Sequence, residues 1–482
     1  MIKGTSEKSK KKIVIADMVL IASINDDLLH NILLRLPAKS FAFASCVNRS
    51  WNSLCNRILS RPKMVSAFSR NPNQTRAGEE VLDKVLSEPI RPHFVIANIT
   101  CGNMEETLTL ITERVGSRVP IIVSVVAGIL GKEACNDNAG EVKHHVTTDD
   151  GLSVVANFAI LLTIGYLPGM KVDVIPAIQA KGEDTHATEP ILQKLDYAMP
   201  AETIIVGDQT CEFLHKRGNE PRNVQLHKDD SRVFAGLVFA RDRHRPTQAG
   251  RIQFDAAISR AMSSVDLRYK AANVRVSRRP RCPSTLLTAK RGGEAEVLNG
   301  DQILDDINDF LGNQIWENDP YLGVIKRRKY SIGLEEKPKI MASLVFHQVT
   351  GADEQDLLVN GAEIKTGDYF QVYLPDLKVA EASLNAVSSQ LRNLQSKPNK
   401  PEVVGGFAFV GSRRGDSFFG RQNADCTPFL ENFPELPFGG IFCNGEIGRS
   451  LFVEDGEEKK EVSIRRCLHV YSSVYLIVSY TS

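Results

Sequence analysis

An α+β protein of several domains is predicted, with three short helices ahead of two mixed α/β, sheet-containing modules. Three observations predict it: a length of 482 residues, a helical apolar period over residues 23–60, and short β-branched runs alternating with helix-like stretches from residue 94 onward. The length exceeds one ordinary domain, and roughly 400 residues remain after the helices, enough for two modules of common size. Hydrophobic residues make up 42% and charged residues 24%, so the chain is expected to bury sizeable cores rather than stay disordered. With 59 basic and 58 acidic side chains the net charge is +1, which gives no global reason to expect nucleic acid or an anionic membrane as partner.

The helical stretch opens with Asn25, Asp26 and Asp27, short polar residues suited to capping orphan amides at the positive end of a helix. Leu28, Leu29, Ile32, Leu33 and Leu36 then follow at helical spacing, and Pro37 disfavours helical geometry at Leu36. A second series is Phe41, Ala44 and Val47, and a third is Trp51, Leu54, Ile58 and Leu59. Fewer than about 40 residues cannot cover all this apolar surface unaided, so the helices must dock onto the remaining chain or onto another protein. Composition leaves both open.

Residues 1–22 read as a basic flexible tail. Lys3, Lys8 and Lys10–Lys12 ahead of Ile13–Ile24 imitate a signal peptide, but Asp17 interrupts the apolar run and no clear small-residue cleavage site follows. No segment reaches the ~18–20 uninterrupted apolar residues of a membrane span. Nine scattered cysteines without a C-x-x-C pair suggest a reducing compartment, and cytoplasm, nucleus or both is the expected location.

Residues 61–93 read as a linker with one short helix, Glu79–Leu86. The first module, 94–245, carries strand-like runs at Phe94–Ile99, Ile121–Ala127, Ser153–Ile164, Val172–Ile175, Ile204–Val206 and Val233–Phe239, with helices at Glu105–Val115 and Glu189–Tyr197. The second, 246–482, has helices at Gln302–Leu311 and Val379–Leu394 and strands at Ala342–Val349, Tyr369–Tyr373, Gly406–Val410 and Leu468–Val478. No leucine-rich, kelch or WD period is found. Basic runs at Arg278–Arg281, Lys326–Lys329, Arg413-Arg414 and Arg465-Arg466 lack interleaved aromatics and read as solvated faces rather than nucleic-acid contacts.

Enzyme signatures fail on spacing. Gly128–Lys132 lacks the phosphate-loop pattern, and His144-His145 with Asp149-Asp150 reads as a polar surface loop rather than a metal site. No catalytic residue, metal site or cofactor is assigned, and a non-catalytic protein is expected. Two glycine-dense pieces remain, Gly405–Gly420 and Pro437–Gly448; so many glycines beside strands mean sharp turns or close backbone approach, structural or lining a pocket.

The order Asp26-Asp27-Leu28-Leu29, Leu36-Pro37-Ala38-Lys39-Ser40, Cys46-Val47 and Ser50-Trp51 resembles the F-box over residues 23–60, and its plant versions in particular. That family usually has Leu-Pro where Ile24-Asn25 stand here. The resemblance implies docking to the Skp-type adaptor of a cullin ubiquitin ligase through the positions of Leu28, Ile32, Leu36, Pro37, Val47 and Trp51, while the remaining chain recruits a protein substrate for degradation. The glycine pieces resemble the C-terminal FIST domain: Phe409, Arg414 and Gly415, then Gly439, Gly440, Phe442, Gly445, Glu446, Ile447 and Gly448, match its two segments, with Gly411 where the family often has cysteine. Residues 94–245 resemble the N-terminal FIST domain. That resemblance implies a sensory module for small ligands such as amino acids, with Arg414, Gly415, Gly445 and Glu446 as the candidate pocket. Arg414 and Glu446 suit the two charges of a zwitterion, or simply satisfy neighbouring turns. In the ligand-sensor alternative, the F-box controls the chain's own turnover.

Overall fold

The computed structural model describes residues 25–147, 154–177, 204–208, 212–216, 234–242, 250–277, 284–311, 319–330, 339–361, 364–396, 401–451 and 464–481. The tail 1–22, the expected helix Glu189–Tyr197 and the boundary expected at residue 245 lie outside them.

Helices α1 (Asp26–Leu33), α2 (Ala38–Ala44) and α3 (Arg49–Ile58) form the N-terminal unit. The Asn25 side chain caps α1 by accepting from the Asp27 N–H, and Asn48 caps α3 by accepting from the Trp51 N–H at 2.9 Å. The unit is not tethered by a linker. β1 (Lys63–Ser69) begins soon after α3, the Ala38 N–H donates to the Leu86 carbonyl at 2.9 Å, and Ala38 and Leu59 pack on the next core. Residues 61–93 are therefore folded, contrary to the expectation of a linker. Met64, Ala67 and Phe68 bury one edge of a sheet, and α4 (Gln74–Val85), capped by Asn73, buries Ala77, Val81, Leu82 and Val85 against it.

The first sheet runs β1, β8 (Ile160–Tyr166), β2 (Phe94–Ile99), β3 (Ile121–Val125), β11 (Glu212–Lys216). Its β2 and β3 are parallel, with α5 (Met104–Val115) as the crossover between them. The second runs β13 (Arg251–Ser259), β24 (Ser473–Thr481), β20 (Glu402–Gly411), β21 (Phe438–Cys443), β4 (Gly128–Lys132), β5 (Ala139–Lys143). The same order of antiparallel and parallel pairings occurs in both, with β13, β24, β20 and β21 in the places of β1, β8, β2 and β3. The outer partner of β21 comes from the first half of the chain. The two modules are thus interlocked.

Four layers result. Helices α4 and α5 cover the outer face of the first sheet, while its inner face meets the second sheet through Phe68, Ile129, Leu161 and Ile441. Helices α7 (Leu377–Gln395) and α8 (Thr427–Leu430) cover the far side of the second sheet, where Leu384, Val387 and Leu391 meet Val410, Phe438 and Tyr475. The glycines let the sheets close on each other: a Cβ on Gly439 would stand 2.7 Å from Ser66 Oγ and 3.1 Å from Thr163 Oγ1.

Between β13 and α7 the second half carries a closed six-stranded barrel, which the sequence reading resolved only in part. Its order is β14 (Met262–Ser277), β15 (Ser284–Arg291), β18 (Leu357–Asn360), β17 (Lys339–Ala352), β16 (Tyr321–Tyr330), β19 (Tyr369–Pro375), and α6 (Gly300–Phe310) plugs it with Ile303 and Ile307. Smaller pairings join β6 (His145–Thr147) to β7 (Val154–Ala156), β9 (Met170–Ala177) to β12 (Phe234–Arg241), and β10 (Gly207–Asp208) to β22 (Glu446–Leu451) and β23 (Ile464–His469).

Candidate functional site

The apolar stripe of α1 is wider than its own unit can cover. A turn of 3.6 residues sets Leu28 and Ile32 about 100° round the axis from Leu29 and Leu33. Leu29 and Leu33 join Phe41, Ala44, Leu54 and Cys55 in a small core, while Leu28 is 56% and Ile32 43% exposed. On the next helix and its exit the same split recurs: Phe41 and Ala44 turn inward, and Phe43, at 67%, and Val47, at 57%, face water. Of the six residues expected to dock, Leu28, Ile32, Pro37 and Val47 are exposed, whereas Leu36 and Trp51 are half-buried against the unit's core. Phe43 is a further exposed apolar residue of the unit, as is Leu34 at 43%, and neither was singled out in the sequence. The signal was the two-residue step from Phe41 to Phe43, which no single helical face accommodates.

The candidate ligand residues have the opposite surroundings. Arg414 is wholly buried: its Nε and Nη2 donate to Asp425 Oδ1 at 3.1 and 2.8 Å, Nη1 donates to the Tyr471 carbonyl at 3.0 Å, and Nη2 reaches Ser259 Oγ at 3.2 Å. Ser473 Oγ also donates to Asp425 Oδ1, at 2.6 Å, and Tyr475 O–H donates to the Asp425 carbonyl. The Phe419 ring lies under the guanidinium. Glu446 is also buried and accepts from Ser472 Oγ at 3.0 Å; burial pushes its carboxyl up to about 8. Both residues tie to the Tyr471-Ser472 turn. Gly415 and Gly445 have φ of +91° and +140°, where a side chain is strained, so they shape the turns beside these groups. Around Gly415, Glu141 of β5 accepts the Asp416 and Asn423 amides at 3.0 Å each, and Lys143 donates to the Arg414 carbonyl. The arrangement is that of a locked interior, and Arg414 is not a solvated face.

The F-box domain family matches residues 21–62. An F-box/LRR-repeat protein of Arabidopsis thaliana is 78% identical to this chain, the match covering 100% of the chain and 98% of the relative. This chain belongs to the F-box proteins. The relative's name also refers to leucine-rich repeats, which stack parallel strands in series. Among the described residues of this F-box protein, the parallel ladders are β2 with β3 and β20 with β21, beside one isolated parallel bridge between Phe68 and Glu133, and the other ladders are antiparallel.

The remaining sequence candidates of this F-box protein occupy other positions. Gly128–Lys132 is strand β4 rather than a loop. The His144 N–H donates to the Ala127 carbonyl, and Asp149 and Asp150 lie outside the described residues. Groups of three or more metal-ligating side chains are absent among the described residues, and so is any helix long and apolar enough to cross a membrane. Arg413 pairs with Asp319 and Lys326 with Asp368, while Arg278–Arg281 lie outside the described residues.

Proposed function

We propose that this F-box protein is the substrate-recognition subunit of a Skp-cullin-F-box ubiquitin ligase, docking a Skp-type adaptor through Leu28, Ile32, Leu36, Pro37, Val47 and Trp51. The observation that carries the reading is the exposed apolar surface of α1 and α2 on a matched F-box. Exposed Leu28, Ile32, Phe43 and Val47 have no other apolar cover in the chain's own small core, whereas a partner's groove would bury them. The interlocked modules are the substrate-recruiting part, and we read them as FIST-like on the glycine motif. The cullin core and a protein substrate are the further partners, in cytoplasm, nucleus or both.

The ligand-sensor alternative loses its carboxylate clamp, because the Arg414 guanidinium is spent on Asp425, Tyr471 and Ser259. Co-precipitation of a Skp-type adaptor with wild-type chain and with Leu36→Asp tests the docking reading. Recovery by the wild type and its loss in the variant are expected; wild-type chain that recovers no adaptor would sink it.

A further inference from the structure

Ahead of α1 stands an apolar run for which neither the matched motif nor the described fold accounts. Residues 13–22 read IVIADMVLIA, apolar throughout except for Asp17. The matched F-box family starts at residue 21, so most of the run precedes it. Ten residues are about half of what crosses a membrane as a helix. On α1 itself, Leu28 and Ile32 stand one turn apart on one side, 56% and 43% exposed, while Leu29 and Leu33 fill the small core. An uncovered apolar stripe and an uncommitted apolar run thus lie within a few residues of each other.

The geometry of the chain lets the two meet. The described residues begin at Asn25, which caps α1 with an extended backbone, φ −56° and ψ 139°, so the chain ahead of it leaves the helix axis. Residues 23–25 are a connection of the length, about two to eight residues, that commonly joins antiparallel helices. In helical form the ten residues of the run span about 15 Å and the eight of α1 about 12 Å, so the run can lie along the whole of α1. Ile15, Val19 and Ala22 then fall at helical spacing on the side turned away from Asp17, placed to cover Leu28 and Ile32. Tethered this closely, the run has an effective concentration on the order of millimolar, which a separate molecule in dilute solution does not reach.

We propose that residues 13–22 fold back onto Leu28 and Ile32 in the free chain and compete with the Skp-type adaptor for that face. This contact regulates the docking face and rests on the receptor reading for its consequence, but it forms without the adaptor. With the face covered in about four-fifths of free chains, the apparent adaptor affinity is about fivefold weaker than that of the uncovered face. Because the adaptor must wait for the face to open, the difference falls on the association rate.

The test compares full-length wild type with the full-length double variant Ile15→Asp, Val19→Asp, whose changes lie outside the docking residues. Biolayer interferometry against a purified Skp-type adaptor should show the double variant binding roughly fivefold more tightly and associating faster. Equal or weaker binding overturns the proposal. A fluorescein-labelled peptide of residues 8–22 should bind the double variant saturably in fluorescence anisotropy, and about tenfold more weakly once Leu28→Asp and Ile32→Asp are added. Circular dichroism of that quadruple variant should match wild type, since Leu28 and Ile32 are exposed. Undiminished peptide binding by it overturns the placement on α1. A wild type that is dimeric by light scattering beside a monomeric double variant assigns the run to a second copy and overturns the proposal. So does wild type held on anionic vesicles through Ile15 and Val19 while adaptor affinity stays the same in both chains. If neither chain binds the adaptor, the receptor reading fails by itself, and the peptide titration still decides the contact.

Discussion

Between residues 28 and 47, Leu28, Phe43 and Val47 stand more than half exposed, whereas in the second half of the chain Arg414 and Glu446 are shut away from water. Both places reverse ordinary burial, and they do so for different reasons. An apolar side chain left in water has nothing to gain within its own fold, so its presence points outward, to a partner. A charge taken out of water must be answered on the spot, and Arg414 is answered by Asp425, Ser259 and Tyr471. The contrast separates the proposed docking surface from a structural lock, although Leu28, Val47, Arg414 and Glu446 all first stood out in the sequence as motif residues.

Removing one member of the lock should have the largest effect. Arg414→Leu leaves Asp425 buried without its cation, answered by the Ser473 hydroxyl alone, and a loss of about 3–5 kcal/mol is expected in urea denaturation followed by circular dichroism. Adding Asp425→Leu should restore part of it; a single variant as stable as wild type would show that the interior tolerates the lone carboxylate. Glu446 gives the next effect. In the unfolded chain it ionises near 4.5, but burial keeps it protonated in the fold up to about 8. Between those values the folded state holds a proton that the unfolded state lacks, so stability falls as pH rises, by at most about 1.4 kcal/mol per pH unit. Glu446→Gln should flatten that slope between pH 5 and 8 and be the more stable protein at pH 8.

On the docking side, Ile32→Asp should weaken adaptor binding by about 2 kcal/mol, the scale of an interface hot spot. Because Ile32 is exposed, its unfolding midpoint should move by no more than about 0.5 kcal/mol. Calorimetric titration beside thermal unfolding reads both, and a stability loss matching the binding loss would make Ile32 a core residue after all. Gly439→Ala should have the smallest effect, on the order of 1 kcal/mol, because only side-chain ends, the hydroxyls of Ser66 and Thr163 and a methyl of Leu161, need to move aside. Unchanged stability would show that the two sheets can part without cost.

Local pattern carried much of this into the sequence. Helices α1, α5 and α7 and strand β2 were legible because their apolar periods and caps lie within a few residues of one another. β14 was missed although Val265, Leu267, Tyr269 and Ala271 alternate inward against Asp266, Arg268 and Lys270, since charges at every second place resemble an exposed segment. The burial of Arg414 was legible only as the alternative that it satisfies neighbouring turns. Asp425 lies 11 residues on, but Ser259 is 155 residues away and Tyr471 57, so the full set of partners forms only in the fold. Leu28, Ile32 and Val47 were picked out by the order of residues in a known motif and are exposed, while the exposure of Phe43, outside that pattern, needed the surface itself.

The insertion of β4 and β5 into the second sheet also sets a timetable for biosynthesis. Lys132 donates to the Pro434 carbonyl across 302 residues, and β4 lies against β21, so this pair of strands is translated long before the sheet it joins. At ~5–20 residues per second the ribosome needs about 15–60 s to supply the missing neighbour. Throughout that interval Ile129 and Leu130, buried in the finished protein, belong to a strand with an open edge on a nascent chain.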